Sequence, residues 1–173
     1  MRSLIVYFSQ TGHTRKAAEK IAEFIDADLF EIKPEIPYIE KDLDGYNEFS
    51  RTYKEQHDPN SRPNIKDINV NLDEHDRIFI GYPIWWYIAP RLIYTFIESL
   101  KLKTKEIIPF ATSYESTIER SCKELKETFP QLNWGKGKLL NQIKTDDLKE
   151  WISNINFGNN IELDPRDIKI KES

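Results

Sequence analysis

One cysteine, Cys122, stands in a chain of 173 residues, so no internal disulfide can form, and a reducing compartment suits the chain. Long apolar runs are missing too. The longest, Ile78 to Pro90, is too short and too broken by proline to span a bilayer, and no membrane insertion is expected. The apolar start leads straight into a polar loop rather than a cleavage site, so it does not read as a signal peptide, and the expected location is cytoplasmic. An excess of positive charge is also absent: the net charge is −4, which repels nucleic acid and anionic membranes. There is no Gly-x4-Gly-Lys-Ser/Thr run, which excludes a P-loop triphosphatase. His57 and His75 lie in charged surroundings without a partner at ligand spacing; they read as surface residues, and no metal site is expected. No internal repeat or low-complexity tract is present. What remains is ordinary for a globular protein, 39% hydrophobic and 31% charged. That suits one domain, read as residues 1–157, with 158–173 as a polar tail that is poorly ordered or laid on the surface.

The most informative stretch is Leu4 to Thr14. An apolar, β-branched run stops at Ser9, and a hydroxyl-rich loop with one glycine follows. Ala17, Ala18, Ile21, Ala22 and Ile25 then recur at helical spacing. Strand, tight loop and helix start point backbone N–H groups and hydroxyls at one spot, at the positive end of a helix dipole, which is a seat for a phosphate.

The pattern then alternates. Asp28–Lys33 reads as a second strand, with Leu29 or Phe30 and Ile32 facing inwards. Pro34 to Asn69 is irregular and rich in proline. Within it Tyr46, Phe49 and Tyr53 are spaced for one face of a short helix; it reads as packed on the sheet, the alternative being that its tail, Tyr53 to Pro63, folds over a ligand. Arg77–Tyr82 is a third strand, and Leu92, Ile93, Phe96, Ile97 and Leu100 mark the helix after it. Glu106–Ala111 is a fourth strand; Ile118, Cys122, Leu125 and Phe129 mark the next helix. A fifth strand falls within Trp134–Leu140. Thr145 is suited to cap a last helix that buries Leu148, Trp151, Ile152 and Ile155. Apolar strands without clean alternation, each followed by an amphipathic helix, imply a five-stranded parallel sheet with helices on both faces, a doubly wound α/β fold.

Two loops stand out. Ser9–Thr14 is built for an anion, and Pro83–Pro90 presents Trp85, Trp86 and Tyr87. Together they suit a ligand with a phosphate and a flat conjugated ring. Cys122, on the apolar face of a helix, reads as a buried structural residue rather than a nucleophile. The acidic group Asp73, Glu74 and Asp76 reads as a solvated loop at the far end of the sheet.

Four pieces carry a resemblance: Tyr7-Phe-Ser-Gln-Thr-Gly-His-Thr14, Arg62-Pro63, Gly81-Tyr-Pro-Ile-Trp-Trp86 and Pro109-Phe-Ala-Thr-Ser113. The chain resembles the flavodoxin-like FMN-binding family, over most of its length. The resemblance implies the strand order 2-1-3-4-5, which is that of flavodoxin itself and so a known case rather than a deduction, with the ligand where the order reverses. It implies that Ser9, Gln10, Thr11, Gly12, His13 and Thr14 hold the FMN phosphate. Pro83, Ile84, Trp85, Trp86 and Tyr87 would flank the ring, and Thr112, Ser113, Tyr114 and Glu115 would form a third wall. The family branch it most resembles continues Thr-Ser-Gly-Gly-Ser in that third loop; Tyr114 and Glu115 replace the glycines here.

Three functions follow as expectations. The first is an FMN electron carrier, needing no catalytic residue of its own and serving a redox partner protein. The second is an FMN-dependent NAD(P)H:quinone-type oxidoreductase with a small quinone-like acceptor. The third is a cofactor-free interaction module on the same fold. Monomer and homodimer both remain open. A phosphate-accepting receiver would need acidic residues where Ser9 and Pro83 stand.

Overall fold

Residues 2–142 and 144–157 are described by a computed structural model. The tail expected over 158–173 lies outside the described residues.

The absence of alternation in the strands has a direct structural cause. Strand β1 (Ser3–Tyr7) pairs in parallel with β2 (Asp28–Glu31) on one side and β3 (Arg77–Pro83) on the other. Strand β4 (Glu106–Thr112) follows beyond β3. The edge is formed by β5 (Asn133–Trp134) and β6 (Lys138–Leu139), both parallel to β4, giving the order β2-β1-β3-β4-β5. β5 and β6 continue one line with one residue inserted: Ile107 pairs with Trp134, but Phe110 pairs with Lys138. The extra residue falls in Gly135–Gly137, so the single expected fifth strand is bulged into two pieces.

Successive residues of the central strands enter two cores. Leu4, Val6, Ile78, Ile80, Tyr82 and Ile107 pack on one face, against α3 (Arg91–Ser99) and α4 (Glu119–Thr128). Ile5, Tyr7, Phe79, Ile108 and Phe110 pack on the other, against α1 (His13–Ile25) and α5 (Thr145–Phe157). Both faces are dry, so both sets are apolar. Gly81 serves this packing: a Cβ there would stand 2.1 Å from the ring of Phe110, its partner on β4. α5 begins at Thr145, and the Leu148 N–H bonds to Lys144 O, one residue before the expected cap.

The segment after β2 departs from expectation. Leu29 is exposed, while Phe30 and Ile32 face inwards. The short helix α2 (Arg51–His57) starts only after Ser50, so Tyr46 and Phe49 are not on it and both are exposed. Their spacing is helical by coincidence. Asp44 Oδ1 accepts from the Tyr46 N–H and Asn47 Oδ1 from the Phe49 N–H, which makes turns of this stretch. Ser50 Oγ then accepts from the Tyr53 N–H and caps α2. The base of the excursion is closed by an antiparallel contact between Pro34 and Ile65.

His75 is another departure, being only 4% exposed. Its ring nitrogens face Asn71 O and Asp28 Oδ2, each at 2.8 Å, and Arg2 joins Asp28 at 2.9 Å. This polar cluster pins the amino ends of β2 and β3. Asp73, Glu74 and Asp76 are exposed there, as expected, with Glu74 paired to Arg2.

Candidate functional site

Three loops leave the carboxyl ends of β1, β3 and β4 beside one another, where the strand order reverses. In the first loop, the Phe8 N–H still bonds to Gly81 O before Ser9 leaves the sheet. Gly12 takes φ +95°, although nothing lies within 4 Å of where its Cβ would be. The need for glycine is therefore conformational, not steric. Ser9 Oγ accepts from the Gly12 N–H at 3.2 Å. The first helical bond of α1 runs from the Lys16 N–H to Gly12 O, so the N–H groups of His13, Thr14 and Arg15 have no helical acceptor. No side chain caps this end and no acidic residue stands in its first turn. An anion is the natural complement. The Arg15 guanidinium is paired with Glu31, and no lysine or arginine stands within Ser9–Thr14.

Thr112 ties the three loops together. Its Oγ1 lies 2.8 Å from Thr14 Oγ1 in a buried contact, and its carbonyl accepts from the Ile84 N–H at 2.9 Å. Beyond it, the Ser113 N–H donates to Asn141 Oδ1, and Asn141 Nδ2 donates back to Ser113 O. Tyr114 and Glu115 are exposed, and neither takes a positive φ.

The second loop is a tight hairpin. Trp85 and Ile88 exchange both backbone hydrogen bonds, at 3.0 and 3.3 Å. The two residues between them, Trp86 and Tyr87, have φ of 52° and 73°. That turn ordinarily takes Asn-Gly; two aromatic residues there store strain of about 1–2 kcal/mol each. The tryptophans diverge, as neighbours must. Trp85 packs edge-on against Phe8 and Tyr38, with centroids at 5.3 and 5.0 Å. Trp86 meets Tyr53 and His57 edge-on, at 4.9 and 5.5 Å, and its Nε1–H donates to Thr52 Oγ1. Tyr87 is exposed, with the Arg120 guanidinium over its ring. Tyr53 and His57 are themselves stacked at 3.8 Å.

Gln56 holds this hairpin and was not legible beforehand. It is 4% exposed. Its Nε2 donates to Trp85 O at 2.8 Å and Ala89 O at 3.0 Å, and its Oε1 accepts from the Arg91 N–H at 3.0 Å. Arg91, also buried, donates to Glu55 O and Gln56 O, the last carbonyls of α2. Tyr38 is a second unforeseen member. Its hydroxyl donates to Glu55 Oε1 at 2.5 Å, and Arg51 lies over its ring. Burial first, then the Glu55 carboxylate, pushes that hydroxyl far above the usual tyrosine range. Gln10 Nε2 donates to Tyr38 O, so the excursion after β2 is fastened to the first loop.

The structure thus brings Ser9 through Thr14, Pro83 through Tyr87 and Thr112 through Glu115 to one end of the sheet. Cys122 lies away from it on α4, and burial raises its thiol pKa, as fits a structural cysteine.

A family model described as Flavodoxin matches residues 2–155. A protein from Bacteroides eggerthii DSM 20697, proposed to be a flavoprotein, is 47% identical with a TM-score of 0.86, covering 89% of this chain and 97% of its own. A flavoprotein from Lactobacillus acidophilus NCFM, solved in complex with FMN, is 24% identical with a TM-score of 0.67, covering 87% and 98%. The two-electron reduced flavodoxin of Megasphaera elsdenii is 18% identical with a TM-score of 0.52, covering 83% and 89%. The last two are likenesses of fold. No match was found among curated protein sequences.

Proposed function

Because the chain belongs to the flavodoxin family, we propose that it binds FMN and serves as an electron carrier. The observation that carries this reading is the open end of α1: three N–H groups without helical acceptors, no side-chain cap, no acidic residue in the first turn, and the hydroxyls of Ser9, Thr11 and Thr14 in the adjoining loop. That donor set fits a phosphate monoester. Ser9, Thr11 and the N–H groups of His13 to Arg15 would hold the phosphate, with Thr14 fixing the loop to Thr112. The Trp85–Ile88 hairpin and the loop from Ser113 to Glu115 would border the ring. FMN, when bound, supplies one- and two-electron redox chemistry. The chain's own part is to bind it, exclude water from one side and set its potential. A net charge of −4 disfavours a further negative charge and supports a low potential.

The stacked Tyr53–His57 pair, edge-on to Trp86, would border the ring in a carrier and in a reductase alike. The absence of a membrane-crossing helix among the described residues fits either reading.

The test is a visible spectrum of the purified protein with added FMN, then anaerobic mixing with NADH or NADPH. Retained FMN that is reduced by dithionite but not by nicotinamide supports the carrier. Rapid bleaching by nicotinamide overturns the carrier in favour of the reductase. Failure to retain FMN overturns both in favour of an interaction module.

A further inference from the structure

The loop after β1 contains one imidazole, and it touches a hydroxyl of that loop. His13 Nδ1 lies 2.8 Å from Thr11 Oγ1, with both side chains exposed. A hydroxyl has a single hydrogen to give. If Nδ1 is unprotonated, it takes that hydrogen, and Thr11 shows only lone pairs to an approaching phosphate. If Nδ1 carries a proton, it donates into Thr11 Oγ1, and the Thr11 hydrogen is free to point at the anion. The neutral ring can do this only as its Nδ1–H tautomer and without a positive charge.

We infer that His13 is a positioning residue that switches Thr11 from acceptor to donor toward the FMN phosphate, so that FMN binding takes up a proton at His13 Nδ1. The inference rests on the FMN reading above. Three features make His13 the governing group. The neighbouring cation Arg15 is committed to Glu31 and Tyr7. Lys16, exposed on α1, carries an ammonium in wild type and in both variants alike, so the comparison of variants removes its contribution. On the loop after β4, the groups are Tyr114, whose ring meets His13 edge-on at 6.2 Å, and Glu115. Neither is an imidazole.

The experiment compares wild type, His13→Ala and Thr11→Val by fluorescence titration with FMN and with riboflavin, between about pH 5.5 and pH 8.5, where imidazoles titrate. The phosphate itself ionises with a second pKa of about 6, but equally for every variant, so the ratio of affinities removes that effect. In His13→Ala the Thr11 hydroxyl is free at every pH. Wild type is therefore expected to bind FMN more tightly than His13→Ala at the acid end and no more tightly at the alkaline end. The ratio should change by about ten- to a hundredfold, the scale of one hydrogen bond to a charged group. Thr11→Val should lose most of that change, and riboflavin, which has no phosphate, should show none. Heteronuclear NMR of labelled apoprotein gives a second readout: adding inorganic phosphate should shift His13 toward the Nδ1-protonated form.

A pH-independent ratio with FMN bound overturns the inference and leaves the FMN reading standing. So does the same pH dependence for riboflavin. Failure of every variant to bind FMN overturns both.

Discussion

Replacing Gln56 with leucine should cost more than any other single change of similar volume in the described part of the candidate site. The carboxamide is buried and fully used, donating to Trp85 O and Ala89 O and accepting from the Arg91 N–H. Leucine keeps the volume and removes all three bonds. Trp85 O retains its bond from the Ile88 N–H, but Ala89 O and the Arg91 N–H lose the partners they have. A buried polar group left unpaired costs about 1–3 kcal/mol, and the added apolar surface returns about 1 kcal/mol, so the net loss is about 2–4 kcal/mol. For a chain of this size that lowers Tm by roughly 5–15 °C. The effect should reach the site as well. The positive φ values of Trp86 and Tyr87 persist only because neighbouring contacts impose them, and Gln56 is the main contact. Denaturant and thermal melts followed by circular dichroism measure the stability; hydrogen exchange at the Ile88 N–H reports the hairpin. A variant with native stability and unchanged Ile88 protection would show that the hairpin is held elsewhere and would refute the reasoning.

Gly12→Ala should lower stability by about 1–2 kcal/mol despite the open space around it, because φ +95° strains any side-chain-bearing residue; it should also weaken FMN binding, read by fluorescence titration. Asp28 has its pKa lowered from an ordinary value of 3.8, first by the His75 hydrogen bond and then by the Arg2 charge. A lowered folded-state pKa stabilises above the unfolded value and is lost as pH falls through the folded one. Asp28→Asn should therefore lower stability at neutral pH and flatten its decline below about pH 4, measured by urea titration across pH. Cys122 should react slowly with a thiol reagent at neutral pH and quickly in denaturant, since burial raises its pKa; rapid labelling of the folded protein would contradict that placement.

The elements with strong periodicity were readable in the chain, and the reason is local. β1, β3 and β4 are buried on both faces, so their interior positions are almost all apolar, and a run such as Ile78-Phe-Ile-Gly-Tyr82 has few alternatives. The loop between β1 and α1 was readable because an abrupt change from apolar strand to hydroxyls and glycine is itself the signal. The region from Pro34 to Asn69 was not. Tyr46 and Phe49 sit at helical spacing, but side-chain oxygens of Asp44 and Asn47 capture the backbone before a helix can start. Gln56 and His75 failed for another reason. Each is polar in a polar neighbourhood of sequence, and its burial depends on partners 29 or more residues away, Trp85 for Gln56 and Asp28 for His75. No local pattern encodes such a contact.

The third loop shows how a departure from a family motif is absorbed. The resemblance implied glycines where Tyr114 and Glu115 stand, and glycine is usually kept for positive φ or close approach. Neither residue takes a positive φ; the left-handed residue nearby is Gln142, beside the Asn141 amide that grips Ser113 from outside. Ser113 Oγ also accepts from the Ser116 N–H and closes the turn. The bend is thus made by side-chain hydrogen bonds around the two substituted positions, which leaves them free to carry side chains. Tyr114 is 92% exposed and points along the rim toward His13 rather than into the sheet end. On the FMN reading proposed above, it would extend the wall of the site without filling it. Tyr114→Gly should then change stability by no more than about 0.5 kcal/mol, since an exposed ring contributes little to the fold. The same change should leave bound FMN more open to a soluble quencher such as iodide, at an affinity within a few-fold of wild type. A loss of more than about 1 kcal/mol would show that the ring packs as part of the fold, and unchanged quenching would remove it from the site.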